Sequence, residues 1–483
     1  MFLDLVPAPP WLDSGHNAWQ LVSATLVGLM SVPGLAILYA GLMKRKWAVN
    51  SSLMVLYGFG ATLLVWSFWG YKMAFGSQLT DVLHFVGIPG TILSPSSEQG
   101  QAVIPLLTGA IPTLRFPLTT LAYFQFVFAA ITVILLAGAI LGRFSFKAWI
   151  VFVPVWITLV YSVNAFSLWG GGWLGAMPSW LQGIAGAGAV DYSGGYVIHV
   201  AAGISGVVAA AVVGPRLAVD REHNRPSNVI LAITGGGLLW LGWNGFNGGD
   251  PYFAGADASA AVYNTNLAAA TAMLSWMILD AFIIGKPSVG GMINGMIAGL
   301  VAITPAAGYV NGYGAFAIGI AAGVIPFFTF NYLTRVGIFS RIDDTLGVMH
   351  THLFAGAIGG LMVGLLADPN VIVYPGTGKT PSFSVGGLFY GNPKQFVAQV
   401  IALLFVLAWD GVMTFAICKA INVFVKLRLP DEDLEVGDVA VHGDVAYELV
   451  PQPPRDRVEG PPVPRRPTAT RRACSDDGAD PPA

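Results

Sequence analysis

Two histidines lie in apolar stretches of the chain, and each is preceded by an aspartate at the same spacing. Asp191 stands eight residues before His199, and Asp344 stands eight residues before His352. Each histidine is followed by glycines four and seven residues later. Ionisable side chains inside a bilayer cost free energy and are rarely kept there without a role. The repeated pattern therefore predicts a symmetry-related pair of imidazoles that can exchange hydrogen bonds or relay a proton.

The other ionisable residues of these stretches have simpler interpretations. His350 is two residues from His352, about 200° around a helix, so we expect it to make a structural contact. Asp191 lies about 12 Å from His199 along a regular helix, which leaves two interpretations open. It is either a helix N-cap or an acidic group with a functional role. Asp280 and Asp410 are expected to be packed and hydrogen-bonded between helices.

Several aromatic residues could recognise a small cation. Phe124 and Phe128 are four residues apart and share one face of a helix. Trp169 precedes a run of glycines, and Phe246 lies four residues before Asp250. An aromatic face attracts a cation through its quadrupole, and a carboxylate adds charge attraction. These residues predict a cation-collecting mouth, with helix packing and membrane-interface anchoring as the alternatives.

The elements that must position these residues are membrane helices. Of the 483 residues, 55% are hydrophobic and 10% are charged, which excludes an ordinary soluble globular protein. The apolar stretches are continuous, whereas the strands of a membrane barrel alternate in polarity. A net charge of -2 gives no basis for nucleic-acid binding, and two cysteines form neither a disulfide framework nor a metal-ligand spacing.

Eleven stretches are long enough to cross about 30 Å of hydrocarbon. They cover residues 17–43, 50–75, 118–141, 148–169, 192–214, 228–249, 262–285, 289–308, 311–333, 345–367 and 395–425. The two Asp-to-His motifs lie at the start of the fifth and the tenth stretches, so each half of five stretches ends with the helix that carries one. The fold class is therefore an all-α membrane protein with an inverted repeat of five and five helices plus a final helix. Related helices cross near the midplane, so His199 and His352 are expected to meet there, with glycines allowing close approach.

The basic residues predict the orientation. Alternate connections, together with the end of the last helix, hold fourteen of the 24 lysines and arginines, and the other loops hold four. Because basic residues accumulate on the cytoplasmic side, we expect the N-terminus outside and the C-terminus inside.

The chain then divides into four parts. Residues 1–16 form an external lead-in, 17–425 the membrane domain and 426–450 a cytoplasmic tail that can dock on the helices. Residues 451–483 contain nine prolines and six arginines and are expected to be disordered.

Several motifs resemble the ammonium transporter family (Amt/Mep/Rh), and its bacterial Amt members in particular. They are PGLAILYAG at 33–41, DYSGGYVIH at 191–199, GWNGFNGG at 242–249, GKPS at 285–288, TPAAGY at 304–309 and DDTLGVMHTH at 343–352. The resemblance covers about residues 16–447.

The resemblance implies a homotrimer in the cell membrane, the plasma or inner membrane, that serves nitrogen uptake. Each protomer would hold one narrow apolar path for ammonium or ammonia and methylammonium, with no cofactor, no metal and no enzymatic activity. A PII-type regulator is a possible partner on the cytoplasmic face.

By motif position, the resemblance also implies a role for each site residue. Ammonium would be recruited by Trp169, Phe128 and Asp250, where many bacterial members have serine in place of the aspartate. Phe124 and Phe246 would stack as a gate. His199 and His352 would be the twin histidines of the pore, and Asp191 would serve folding or deprotonation.

Several alternatives remain at this stage. The chain could be an ammonium sensor (transceptor) that signals through its tail, or a Rh-like gas channel, against which Trp169 in the mouth argues. Two facing histidines could also ligate a haem iron. Two transport modes stay open, electrogenic ammonium transport and net ammonia flux.

Overall fold

The described part of the chain is helical. The computed structural model describes residues 9–79, 84–104, 114–175, 179–222, 226–374 and 382–447. Within these ranges there are isolated β-bridges but no strand. The segment expected to be disordered, 451–483, lies outside the described residues, as do 1–8 and 448–450.

Eleven helices follow the predicted apolar stretches. We number them α1 (Ser14–Leu42), α2 (Arg45–Phe75), α3 (Leu118–Ile140), α4 (Phe146–Leu168), α5 (Gly195–Val213), α6 (Val229–Gly248), α7 (Ala256–Ile284), α8 (Val289–Ile303), α9 (Gly312–Arg335), α10 (Met349–Leu366) and α11 (Pro393–Phe424). In the described residues, ten of them are long and apolar enough to cross a membrane. The shorter one is α8, which ends at Ile303 rather than at the expected residue 308. Thr304 is the C-cap residue, and the next residue, Pro305, cannot donate the hydrogen bond that would continue the helix.

The helices that carry the two histidines begin in the same unusual way. The first turns of α5, Gly195–Val200, and of α10, Met349–Phe354, are π-helical. Insertions of this kind shift the register of a helix and are frequent at functional sites. An aspartate precedes each helix and accepts hydrogen bonds from backbone N–H groups at the start of that helix. This residue is Asp191 before α5 and Asp344 before α10. The sequence repeat is thus also a repeat of local structure.

Glycines let α5 and α10 cross in contact. A Cβ atom added at Gly203 would lie 2.5 Å from the backbone nitrogen of Leu353 on α10. One added at Gly356 would lie 2.7 Å from the backbone oxygen of Gly195 on α5. Real Cβ atoms do not approach other atoms so closely, so at this separation of the two helices only glycine fits at either position.

The glycines seven residues after each histidine also occupy equivalent surroundings. Gly206 packs on Ala139 of α3, and Gly359 packs on Ala302 of α8. These partners belong to the third helix of the first half and the third helix of the second half. The same contact in both halves supports the inverted five-plus-five arrangement inferred from the sequence.

A buried arginine joins the ends of several helices. Arg143, after α3, is fully buried and donates hydrogen bonds to the backbone oxygens of Ala139, Gly214 and Asp343. Burial lowers the pKa of its guanidinium to about 10, so it stays protonated at neutral pH. The neighbouring Arg216 forms an ion pair of 2.8 Å with Asp343. These contacts connect α3 and α5 to the loop that leads into α10.

The first part of the tail lies against this end of the helices. Leu427 accepts a hydrogen bond from the Ser145 N–H, and Leu429 donates one to the Arg143 oxygen. Further along, the Asp438 carboxylate accepts hydrogen bonds of 2.8 Å from the N–H groups of Val49 and Asn50 at the start of α2. The described residues up to Ala446 form one compact unit with the helices.

Candidate functional site

The two histidines of the sequence repeat meet in the interior. The Nδ1 atoms of His199 and His352 are 3.3 Å apart, and the two ring planes differ by 25°. The His199 side chain has no exposed surface and that of His352 is 5% exposed. The meeting expected from the Asp-to-His repeat is therefore present, at hydrogen-bonding distance.

The Nδ1–Nδ1 contact dictates which protons the pair carries. One ring must donate its Nδ1–H and the other must accept with an unprotonated Nδ1, because two N–H groups or two lone pairs would repel. The accepting ring, when neutral, carries its proton on Nε2, and the donating ring leaves its Nε2 as an acceptor. The Nε2 atom of His199 has no hydrogen-bond partner among the described residues. The pair thus offers one donor and one acceptor to a small polar molecule.

Aromatic rings continue the column from His199 along α6. The ring of Phe246 lies almost parallel to that of His199, with centroids 5.9 Å apart. Trp243 packs 5.4 Å from His199 and 5.0 Å from Phe246. The Trp243 Nε1–H is used by a hydrogen bond of 2.9 Å to Thr304, which fixes the ring. Sequence reasoning gave Trp243 no role, although its position three residues before Phe246 puts both rings on one helical face.

Phe128 is the ring that packs closely on Phe246. Their centroids are 4.4 Å apart with planes tilted by 33°. Phe128 also meets the edge of Trp169 at 6.3 Å and lies 4.7 Å from Phe124. The stacked pair expected from the resemblance was Phe124 with Phe246. The structure puts Phe128 in that place because α3 turns its ring toward α6.

Phe124 points instead toward the loop after α6. Its ring edge faces Tyr252 at 6.3 Å, and a Cβ atom on Gly249 would collide with it. Gly249 directly precedes Asp250, so Phe124 lies beside the acidic residue of the expected mouth. Tyr252 adopts a left-handed backbone with φ of 62°, which is strained for a residue with a large side chain. Two hydrogen bonds hold this conformation: the Tyr252 N–H donates to the Gly249 oxygen at 3.0 Å, and the Tyr252 hydroxyl accepts from the Gln125 amide at 3.1 Å.

Asp250 is a buried carboxyl with an unused acceptor. Its side chain is 3% exposed, and its Oδ2 atom has no hydrogen-bond partner among the described residues. Burial raises the pKa of this carboxyl well above its usual range, against the opposing effect of the Ser193 hydroxyl, and the Asp191 carboxyl adds to the rise. An incoming cation with N–H donors would satisfy the free oxygen and favour its ionised form.

Asp191 lies at the N-terminus of α5. Its carboxylate accepts hydrogen bonds from four backbone N–H groups, those of Gly194, Gly195, Tyr196 and Val197. Burial raises the pKa of this carboxyl to about 6, and the four donors act in the opposite direction. The backbone oxygen of Asp191 accepts a 2.7 Å hydrogen bond from Trp169 Nε1. Asp191 thus caps the helix that carries His199 and orients Trp169, which lies next to Phe128. Of the two interpretations of Asp191, the observed geometry is that of a helix N-cap.

The remaining intramembrane ionisable residues lie outside this column. His350 donates to or accepts from the Thr329 hydroxyl of α9 at 3.0 Å. Asp410 on α11 binds the Asn164 amide with both oxygens, and Asp280 accepts from Ser288. In the part of the chain that the structure describes, no three His, Cys, Asp or Glu side chains form a possible metal cluster. The direct Nδ1–Nδ1 contact of 3.3 Å between His199 and His352 leaves no room for a metal ion between these two atoms.

Comparison with known proteins gives consistent relationships. A family model described as Ammonium Transporter Family matches residues 18–447. Ammonium transporter 3 member 1 of Oryza sativa subsp. japonica is 49% identical, over 91% of this chain and 89% of that protein. Ammonium transporter 2 of Arabidopsis thaliana is 48% identical, over 92% and 90%. These relatives are plant proteins, so the expected likeness to bacterial members in particular is not supported.

Solved structures agree with the sequence relatives. The crystal structure of Saccharomyces cerevisiae Mep2 is 30% identical with a TM-score of 0.74, covering 88% of this chain and 92% of that one. Candida albicans Mep2 is 29% identical with the same TM-score, covering 89% of each chain.

Proposed function

Because the chain belongs to the ammonium transporter family, we propose that it carries ammonium across a membrane along the column of aromatic and histidine rings. The relatives are transporters and not enzymes, and the chain is classed in the same way. The observation that carries the proposed path is one continuous contact series, in which Phe246 lies between Phe128 and the hydrogen-bonded pair of His199 and His352.

Capture of the cation begins at the mouth. Ammonium has four N–H donors and one positive charge, so it is attracted by aromatic faces and by a carboxylate. Trp169, Phe128 and Asp250 remain the recruitment residues of this proposal, and Phe124 joins them because it lies beside Gly249 and Asp250. The free Oδ2 atom of Asp250 supports a direct contact with the substrate.

The gate lies directly below the mouth. Phe124 was expected to pair with Phe246, but Phe128 has the close ring contact with Phe246. We therefore assign the gate to Phe128 and Phe246. One of the two rings must rotate before a molecule reaches His199, since the rings are in van der Waals contact.

A neutral molecule passes this path more easily than an ion. Removing an ion from water costs many kcal/mol, whereas ammonia loses only its hydrogen bonds with water. The proton is therefore released at the outer side of the gate, with Asp250 or Asp191 as the acceptor. Ammonia then crosses along the histidines, where the donor and the acceptor of the imidazole pair replace its lost hydrogen bonds. The acceptor then gives the proton back to the external water, and net ammonia crosses. In the other mode the imidazole pair relays the proton to the inner side, where it rejoins ammonia and the transport is electrogenic.

The complete architecture is also part of the proposal. We place all eleven helices across the membrane, with the N-terminus outside and the C-terminus inside, in the plasma membrane. The 15 residues of α8 are about 22 Å long, so the turn after it, from Thr304 to Tyr309, would complete the crossing. This turn is buried among neighbouring helices, where irregular backbone is tolerated in a membrane.

Assembly and control follow from the family. We propose a homotrimer with one path in each protomer and methylammonium as a second substrate. A second role, sensing of ammonium through the tail, is supported by the hydrogen bonds of Leu427, Leu429 and Asp438 to the helix ends. Binding of a PII-type regulator to this face remains a prediction.

Reconstitution in liposomes tests the proposal. If ammonia alone crosses, ammonium addition should make the liposome interior alkaline, because the imported ammonia binds protons there. If the proton is relayed as well, a current should appear with little alkalinisation. His199→Ala and Trp169→Ala should both reduce labelled methylammonium uptake, while Lys286→Gln, an exposed residue between α7 and α8, should not. Unchanged uptake in both site variants would contradict the assigned path. Removal of residues 426–483 distinguishes sensing from transport, because a sensor that lacks its tail would lose signalling but keep ammonium binding.

A further inference from the structure

Two adjoining cavities lie where α4 and α11 reach the end of the molecule that carries the docked tail. The first is a groove of about 430 Å³ between α4 and α11, and all its lining residues are apolar. The second, also about 430 Å³, lies between the start of α4, the end of α11 and the tail. Val425 lines both, so the two cavities meet at this residue.

The second cavity is basic. Lys147, Lys426 and Arg428 line it, with Asp433 as the acidic lining residue. Lys147 and Lys426 are exposed, and neither has a hydrogen-bond or ion-pair partner within the described ranges. Arg428 is held at 2.7 Å from Asp431. Two lysines without partners leave the cavity with an excess of positive charge.

The N-terminus of α4 adds to this charge. Ser145 precedes the helix and makes no side-chain cap hydrogen bond, and Ser145, Phe146 and Lys147 all line the basic cavity. The first N–H groups of a helix carry a partial positive charge and bind phosphate groups well. Phosphate is therefore the chemical group that fits the basic cavity.

The groove has the length of one membrane leaflet. On α4 it extends from Val151 to Leu159, about 12 Å, and on α11 from Met413 to Phe424, about 16 Å. Half of the hydrocarbon core of a bilayer is about 15 Å. A single hydrocarbon chain that enters from the basic cavity would thus fill the groove and end near the midplane.

We propose that the two cavities together bind one anionic phospholipid of the leaflet on the side of the tail. The phosphate lies between Lys147, Lys426 and the N-terminus of α4, and one acyl chain lies in the groove between α4 and α11. A free phosphate would use only the basic cavity, whereas a basic cavity and an apolar groove that share Val425 fit a molecule with a charged head and a hydrocarbon chain. The inference rests on the membrane orientation proposed above and is independent of the ammonium path.

Lipid binding to the purified, delipidated full-length protein tests the head group. By native mass spectrometry, phosphatidylglycerol should bind more tightly than phosphatidylcholine with the same chains. The double variant Lys147→Gln and Lys426→Gln should lower the affinity for phosphatidylglycerol about thirtyfold and remove the preference. The control pair Lys286→Gln and Arg341→Gln removes the same charge from exposed sites elsewhere. This variant should keep the preference for phosphatidylglycerol.

The groove is tested separately. Ala416 is exposed in the groove, and Ala416→Trp should reduce retention of both lipids, whereas Leu404→Trp, exposed on the same helix outside the groove, should not. Equal binding of the two lipids to the unmodified protein would overturn the proposal. So would displacement of phosphatidylglycerol by inorganic phosphate alone, which indicates a simple phosphate site. Loss of oligomerisation in Ala416→Trp would assign the groove to a second copy of the chain instead.

Discussion

The crossing of α5 and α10 provides a sensitive test of the histidine pair. A Cβ atom at residue 356 would lie 2.7 Å from the Gly195 oxygen and 3.1 Å from the His199 Cβ. Ordinary contacts begin near 3.4 Å, so Gly356→Ala must push the two helices apart by about 0.7 Å. The Nδ1 atoms of His199 and His352, now 3.3 Å apart, would then be about 4 Å apart and no longer hydrogen-bonded.

The expected effect on transport is modest and measurable. A hydrogen bond of this kind contributes about 0.5–1.5 kcal/mol net, which corresponds to about a twofold to tenfold change in rate. Methylammonium uptake by proteoliposomes, normalised to the amount of folded protein, should fall by this factor in Gly356→Ala. The concentration dependence should stay nearly unchanged, since the mouth residues are not displaced.

A second glycine-to-alanine variant controls for the general effect of adding a methyl group to a membrane helix. Gly60 lies in α2, and a Cβ atom there would meet no atom within 4 Å. Gly60→Ala should therefore leave uptake unchanged and slightly favour the helix. In a His199→Ala background, Gly356→Ala should cause little further loss because the hydrogen bond is already absent. Wild-type uptake by Gly356→Ala, or a full additional loss in that background, would refute the reasoning.

Three further outcomes follow from the site and the tail. Phe128→Ala should remove the close ring contact on Phe246 and change the rate of uptake. Phe124→Ala should mainly weaken substrate capture. The opposite pattern in uptake kinetics would reverse our assignment of the gate. Asp250→Asn should raise the KM for ammonium about tenfold to a hundredfold, because a charge-assisted hydrogen bond contributes about 1.5–3 kcal/mol, and an unchanged KM would argue against direct contact. Burial raises the pKa of Asp438 from 3.8 to about 6, so its contribution to tail docking is complete below pH 3.8 and is lost as the pH rises through about 6. Limited proteolysis of the tail should therefore accelerate over this pH interval, and Asp438→Asn should abolish the pH dependence.

The sequence was sufficient for the fold class and for the central pair of the site. Long apolar stretches can bury their backbone only as helices in a membrane, so their positions could be found from composition. The repeated Asp-to-His spacing predicted that His199 and His352 would meet, because a repeat with five helices must invert and bring equivalent positions together. The family was identified from motifs in the same segments and agrees with the relatives.

Other features depended on the way helices rotate and pack. Phe124 and Phe128 share a helical face, so their spacing could not decide which ring meets Phe246. The structure decides it, because the rotation of α3 against α6 brings Phe128 into contact. The role of Asp191 as a cap depends on four N–H groups that converge only when α5 starts at Gly195.

The end of α8 and the basic cavity beside the docked tail are two further features that the sequence alone did not predict. Hydropathy extends to residue 308, but Pro305 stops the helix at Ile303 and leaves a buried turn. The basic cavity beside the apolar groove joins residues from α4, α11 and the tail that are far apart in sequence. Periodicity and composition act along the chain and determine which segments become membrane helices. Contacts between side chains of different helices depend on rotation and distance, which only the packed structure defines.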